Sequence, residues 1–121
     1  MKNWYKELAD RFATFPAHIQ ILNMVSDLKK ADNLIQVNKQ SAINHLYRAI
    51  ILLDYIVADP KWNRKLKELL RLREVIGSII IDDNPMGNIS QTITAALLLE
   101  PTAYRYINFQ FNAIKSRRMS F

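Results

Sequence analysis

The chain has no cysteine, only two glycines and four prolines in 121 residues, and each shortage removes a class of protein. Without cysteine there are no disulfides, thiolate zinc sites or cysteine nucleophiles, which suits a reducing compartment. So little glycine and proline argues against a turn-rich sandwich or barrel and in favour of helices. It also leaves no glycine-rich loop to cradle a phosphate and no Gly-x-Ser-x-Gly elbow for a nucleophilic serine. Two histidines occur, His18 and His45. Neither has a carboxylate three or four residues away, the one-turn spacing of helical metal sites. No apolar run approaches the ~18 residues of a membrane span, and the charged start MKNWYKELADRF lacks a signal-peptide pattern. The sequence therefore predicts a cytoplasmic protein with no membrane partner, no metal, no cofactor and no catalytic residue.

What remains is helical periodicity. Half the residues are hydrophobic and 23% are charged, an ordinary globular mix, and the length fits one domain over 1–121. The stretch 59–83, DPKWNRKLKELLRLREVIGSIIIDD, reads as the helix around which the others assemble. Asp59 can cap it, and Pro60 fits its first position, where the missing N–H costs nothing. Trp62, Leu66, Leu69, Ile76 and Ile80 recur at steps of three, four and seven and define one apolar face. Arg64, Lys67 and Arg71 follow the same steps opposite. Past Arg73 the polar face almost vanishes, since Val75, Ile76, Ile79, Ile80 and Ile81 cover most of the circumference, and such a helix is expected to be enclosed.

Residues 2–14 form an amphipathic helix with Trp4, Tyr5, Leu8 and Phe12 on one side. Phe15-Pro16 ends it, and Pro16 can start the next helix. From Ile21, Met24, Val25 and Leu28 the apolar period continues through Ala31, Ile35, Ala42, Leu46, Ala49, Leu53 and Ile56. Two readings fit: one long helix over about 17–57, bent near 31–33, or a new helix capped by Asp32. Unbroken periodicity favours the single long helix. The turn chemistry of DDNPMGN (82–88) interrupts the chain, after which Asn88 can cap a short helix and Pro101 can start another. In 103–114, Tyr104, Ile107, Phe111 and Ile114 fit a helix, whereas alternating Tyr104, Tyr106, Phe109 and Phe111 also suit a strand. Helix is preferred, because no other segment offers a strand partner. The fold predicted is an all-α bundle of four to six helices.

Two short patterns resemble known helical families without matching them. His45-Leu46-Tyr47-Arg48 is similar in spacing to phosphotransfer helical bundles, whose phosphorylated histidine has lysine three residues on and glycine at four. Here Ala49 stands in the glycine's place. Arg11 and His18, with six residues between them, resemble the Arg-x(4–6)-His motif of the helical HEPN ribonucleases. Phe12 stands where that family usually has a polar residue, and Phe15-Pro16 interrupts the helix. Neither pattern assigns a family.

The charge is unevenly spread. The formal net charge is +6, and residues 60–121 carry ten Lys/Arg against five Asp/Glu. Lys61, Arg64, Lys65, Lys67 and Arg71 crowd one segment, and Arg105, Lys115, Arg117 and Arg118 form a second cluster near Tyr104, Tyr106 and Phe109. Cations along a helix can track phosphates, and interleaved aromatics can stack exposed bases. The runs Ile50-Ile51-Leu52-Leu53, Ile79-Ile80-Ile81 and Leu97-Leu98-Leu99 supply more apolar surface than a lone four-helix bundle needs. Surplus of that kind goes into subunit interfaces. The sequence thus predicts a non-enzymatic, oligomerising accessory protein that contacts DNA or RNA. Its phosphate contacts would be Lys61, Arg64, Lys65, Lys67 and Arg71, helped by Arg117 and Arg118. The alternatives are a protein-only scaffold or adaptor subunit of a larger assembly and, more remotely, phosphotransfer through His45.

Overall fold

The computed structural model describes residues 4–82, 85–103 and 105. They form an all-α bundle: α1 (Trp4–Ala13), α2 (Ala17–Leu34), α3 (Lys39–Ala58), a 3-10 helix (Pro60–Lys65), α4 (Leu66–Ile81) and α5 (Ile89–Leu98). Among these residues no helix is long and apolar enough to cross a membrane. Helix α1 stops before Pro16, as the sequence predicts, with Phe12 buried beneath it; the side chains of Trp4 and Tyr5 lie outside the described residues. Pro16 precedes α2 in an extended conformation, and its carbonyl accepts from the N–H groups of Ile19 and Gln20, both at 3.0 Å.

The single helix expected over 17–57 is instead two. Helix α2 ends at Leu34, the chain reverses, and Asn38 caps α3 by accepting from the Ser41 N–H at 3.2 Å. Asp32 caps nothing; it lies inside α2. The break hid because Ala31 and Ala42, both fully buried, are separated by about three helical turns of sequence. The apolar period therefore runs on undisturbed through a turn whose residues Gln36 to Asn38 are all exposed.

This antiparallel α2–α3 hairpin, and not the 60–81 segment, is the centre of the bundle. Helix α5 packs on α2, and α4 packs on α3. Ile21, Met24 and Leu28 from one side meet Leu46, Leu53 and Ile56 from the other, with Leu69 and Ile76 of α4 and Ala96 and Leu97 of α5 closing the core. Asp59 and Pro60 do begin a helix, but it coils as 3-10 through Lys65 before α4 starts at Leu66. The predicted face also divides. Trp62, Leu69 and Ile76 are buried, whereas Ile80 is half-buried and Leu66 is exposed. Nor is the end of α4 enclosed: Val75 and Ile79 are half-buried and Ile81 is 78% exposed. Besides the side that carries Leu69 and Ile76, α4 is covered near its end around buried Ser78, whose hydroxyl accepts from the Met86 N–H at 3.1 Å.

Asn88 caps α5 through a reciprocal pair. Its side chain accepts from the Gln91 N–H at 2.8 Å, while the Gln91 side chain accepts from the Asn88 N–H at 3.2 Å. Pro101 opens a further helical turn, where the Glu100 carboxylate accepts from the Ala103 N–H at 2.9 Å. The choice between helix and strand over 103–114 falls outside the described residues, apart from Ala103 and Arg105.

Candidate nucleic-acid interface

The basic segment is held in place by a buried polar node. Gln20, fully buried on α2, accepts from the Trp62 indole N–H at 2.7 Å. Its amide donates to the Phe12 carbonyl at 3.0 Å and to the Asp59 carboxylate at 3.2 Å. One side chain thus joins the end of α1, the first turn of α2 and the 3-10 helix. Burial of a glutamine is tolerated because its amide oxygen and nitrogen both find partners.

Lys61 belongs to this node rather than to the open surface. Its ammonium donates to the carbonyls of Phe15 at 2.7 Å and Ala13 at 3.3 Å, and lies 3.3 Å from the Asp59 carboxylate. It thereby caps the C-terminal end of α1, where carbonyls lack helical partners and a cation is favoured. Desolvation pushes the Asp59 carboxyl up, but the hydrogen bonds from the Lys61 N–H, the Gln20 amide and the Lys61 ammonium, with that cation's charge, together hold it below its ordinary value. A depressed folded-state value stabilises the fold above the ordinary carboxylate range near about 4, and that contribution is lost as pH falls through the depressed value. Asp59→Asn should therefore lower the urea midpoint at pH 7, and the gap from the natural protein should narrow as the pH falls below about 4. A gap independent of pH would show that the charge is not what matters.

Arg64, Lys65 and Lys67 are exposed, and their side chains have no hydrogen bond or ion pair among the described residues. Arg71 sits 3.9 Å from Glu74 in an exposed one-turn pair. Lys67, Glu68, Arg71 and Glu74 edge a groove of about 860 Å³ between α4 and α5, whose wall is largely apolar through Leu70, Met86 and Leu98. Of these four charged residues only Arg71 and Glu74 lie within ion-pair distance, so the positive field concentrates at Arg64, Lys65 and Lys67. Arg73 turns away to Asp54 at 2.7 Å, and that hydrogen bond raises its pKa further. Arg117 and Arg118, with Lys115, lie outside the described residues.

A second cationic groove, which sequence spacing did not reveal, runs between α1, α2 and α3. It encloses about 520 Å³, and Arg11, Lys30 and Arg48 stand around a floor that includes Phe12, Phe15 and Leu52. Asp27, buried on α2, faces His45 Nδ1 at 3.1 Å and Arg48 Nε at 3.6 Å. One-turn spacing could not show this carboxylate beside His45, because it arrives from the other arm of the hairpin. The His45 side chain is only 23% exposed. Phosphotransfer needs an open imidazole, and this ring is packed and tied to an acid.

The chain matches no family model, no curated protein and no solved structure.

Proposed function

We propose that this chain is a non-enzymatic accessory protein that assembles with copies of itself and contacts nucleic acid through its phosphates. The observation that carries the nucleic-acid half is the set Arg64, Lys65 and Lys67, three neighbouring exposed cations that no acid among the described residues neutralises. Unpaired surface cations are those that release counterions from a phosphate polymer. Arg71, shared with Glu74, contributes less, and Lys61 positions the segment instead of contacting the ligand. Arg117 and Arg118 remain proposed contacts. The groove of Arg11, Lys30 and Arg48 adds a second patch of the same sign. The anchor Lys61 grips Ala13 and Phe15 at the C-terminal end of α1, where Arg11 and Phe15 line this second groove. The apolar α4–α5 groove supports the second reading, a scaffold that binds protein alone.

The test is a salt titration of binding to labelled single- and double-stranded DNA and RNA. Each phosphate contact contributes roughly 0.7 (single strand) to 0.9 (duplex) to the log–log salt slope. Changing Arg64, Lys65 and Lys67 together to Gln should flatten the slope by about 2 to 3 and weaken binding strongly at low salt. No binding by the natural protein at low salt would remove the nucleic-acid reading and leave the scaffold.

A further inference from the structure

We propose that α4 pairs antiparallel with the α4 of a second copy, about a two-fold axis that passes between Arg73 and Glu74. The pairing rests on the assembly half of the proposed function and is independent of the nucleic-acid half.

Helix α4 carries a second apolar line besides its buried one. At roughly 100° per residue, Leu66, Leu70, Gly77 and Ile81 fall along one narrow strip, well around the helix from the core line Leu69, Leu72 and Ile76. Leu66 is 38% exposed, Leu70 46% and Ile81 78%. Leucine and isoleucine repeated in this way along an outer face are what a partner helix covers.

Gly77 lies on the same strip. Among the described residues a methyl group added there would meet nothing within 4 Å. Glycine in a helix interior is disfavoured relative to alanine, and packing among the described residues neither needs the glycine nor explains it. A missing side chain on an outer face does let another chain approach closely.

The strip is also symmetric. Counted outward from the Arg73–Glu74 peptide, Leu66 matches Ile81 and Leu70 matches Gly77. A two-fold interface joins one patch to itself, so the patch must be self-complementary in this sense. Antiparallel pairing sets each Leu70 over the partner's Gly77, in the space the absent side chain leaves, and each Leu66 against the partner's Ile81. Under the two-fold each flank of the strip meets its own copy. On one flank Arg71 and Glu74 bracket the axis, so each Arg71 reaches the partner's Glu74. Within the protomer these two are barely paired at 3.9 Å, with 70% and 66% of their side chains exposed. On the other flank Arg73 would face Arg73 of the second copy, and Asp54 already neutralises it at 2.7 Å. An unrelated partner would have no need for symmetry about a single point. Lys67 shares the flank of Arg71, so the pairing brings the Lys67 residues of both copies to one side of the dimer.

The absence of cysteine makes the geometry directly measurable. Glu74→Cys places a thiol beside the axis and should form an intermolecular disulfide under mild oxidation. Lys29→Cys, on an exposed position of α2, should not. Gly77→Leu should leave the helical circular dichroism intact, because the described residues leave room there, and weaken self-association by about tenfold or more, a shift of the order set by one blocked contact. Light scattering over a concentration series reads the association. A chain that stays monomeric at every concentration overturns both the pairing and the assembly half of the proposed function. An oligomer that Glu74→Cys fails to cross-link, or that Gly77→Leu leaves unchanged, overturns the α4 pairing alone.

Discussion

Trp62→Ala should lower the folding free energy by about 3–5 kcal/mol, the usual cost of removing a buried indole from a core. The ring is 3% exposed and links the 3-10 helix to α2 through its N–H. Two losses therefore combine: a cavity, and the donor that satisfies the Gln20 amide oxygen. Trp62→Phe separates them, since it keeps most of the volume and removes only the donor. An orphaned neutral group costs about 1–3 kcal/mol, so the phenylalanine variant should fall between the natural protein and Trp62→Ala. Urea unfolding followed by far-ultraviolet circular dichroism measures both. A loss below about 1 kcal/mol for Trp62→Ala would show that the indole is not an anchor, because well-packed aromatic sites do not relax so fully.

The second large effect is expected at Gln20. Gln20→Leu keeps the approximate size of the side chain but leaves the Trp62 N–H buried with no acceptor. The other two partners suffer less: the Phe12 carbonyl still accepts from the Phe15 N–H at 3.1 Å, and Asp59 keeps Lys61. One true orphan and two weakened groups correspond to about 2–4 kcal/mol. Because Gln20→Leu and Trp62→Phe delete the same hydrogen bond, the double variant should lose less than the two single losses added. A coupling of about 1 kcal/mol or more is the signature of residues in direct contact. Strict additivity would mean that the 2.7 Å bond contributes nothing of its own.

The three stretches that sequence reasoning resolved best were those with local chemistry. Asp59-Pro60, Asn88 and Phe15-Pro16 each fix the backbone through neighbours a few residues away, so their structural roles could be read directly. The α2–α3 turn escaped for the opposite reason. Gln36-Val37-Asn38 contains neither glycine nor proline, and the apolar period on both arms stays in phase across it. The basic site was legible as a cluster but not as an inventory. Which cations remain free depends on contacts far apart in sequence: Lys61 is taken by carbonyls 46 and 48 residues earlier in the chain, and Arg73 by an acid 19 residues away. The groove of Arg11, Lys30 and Arg48 needs three helices before it exists. Leu66 shares a face with buried residues by sequence alone, since it stands four residues after Trp62 and three before Leu69. Within α4, Leu66 lies about 60° around the helix from Leu69, at the edge of the buried face, and it emerges 38% exposed.

The span of these contacts also orders the assembly of the chain. The α2–α3 hairpin closes over a turn of only a few residues, so its loop-closure entropy is small. Joining Gln20 to Asp59 and Trp62 encloses 39 and 42 residues respectively. That closure costs less once α2 and α3 already lie side by side, because the pairing brings the end of α3 back to the start of α2. Local pairing before distant docking is the faster route for helical topologies. The node that fixes the basic segment is accordingly a late latch, set only when the hairpin beneath it is complete.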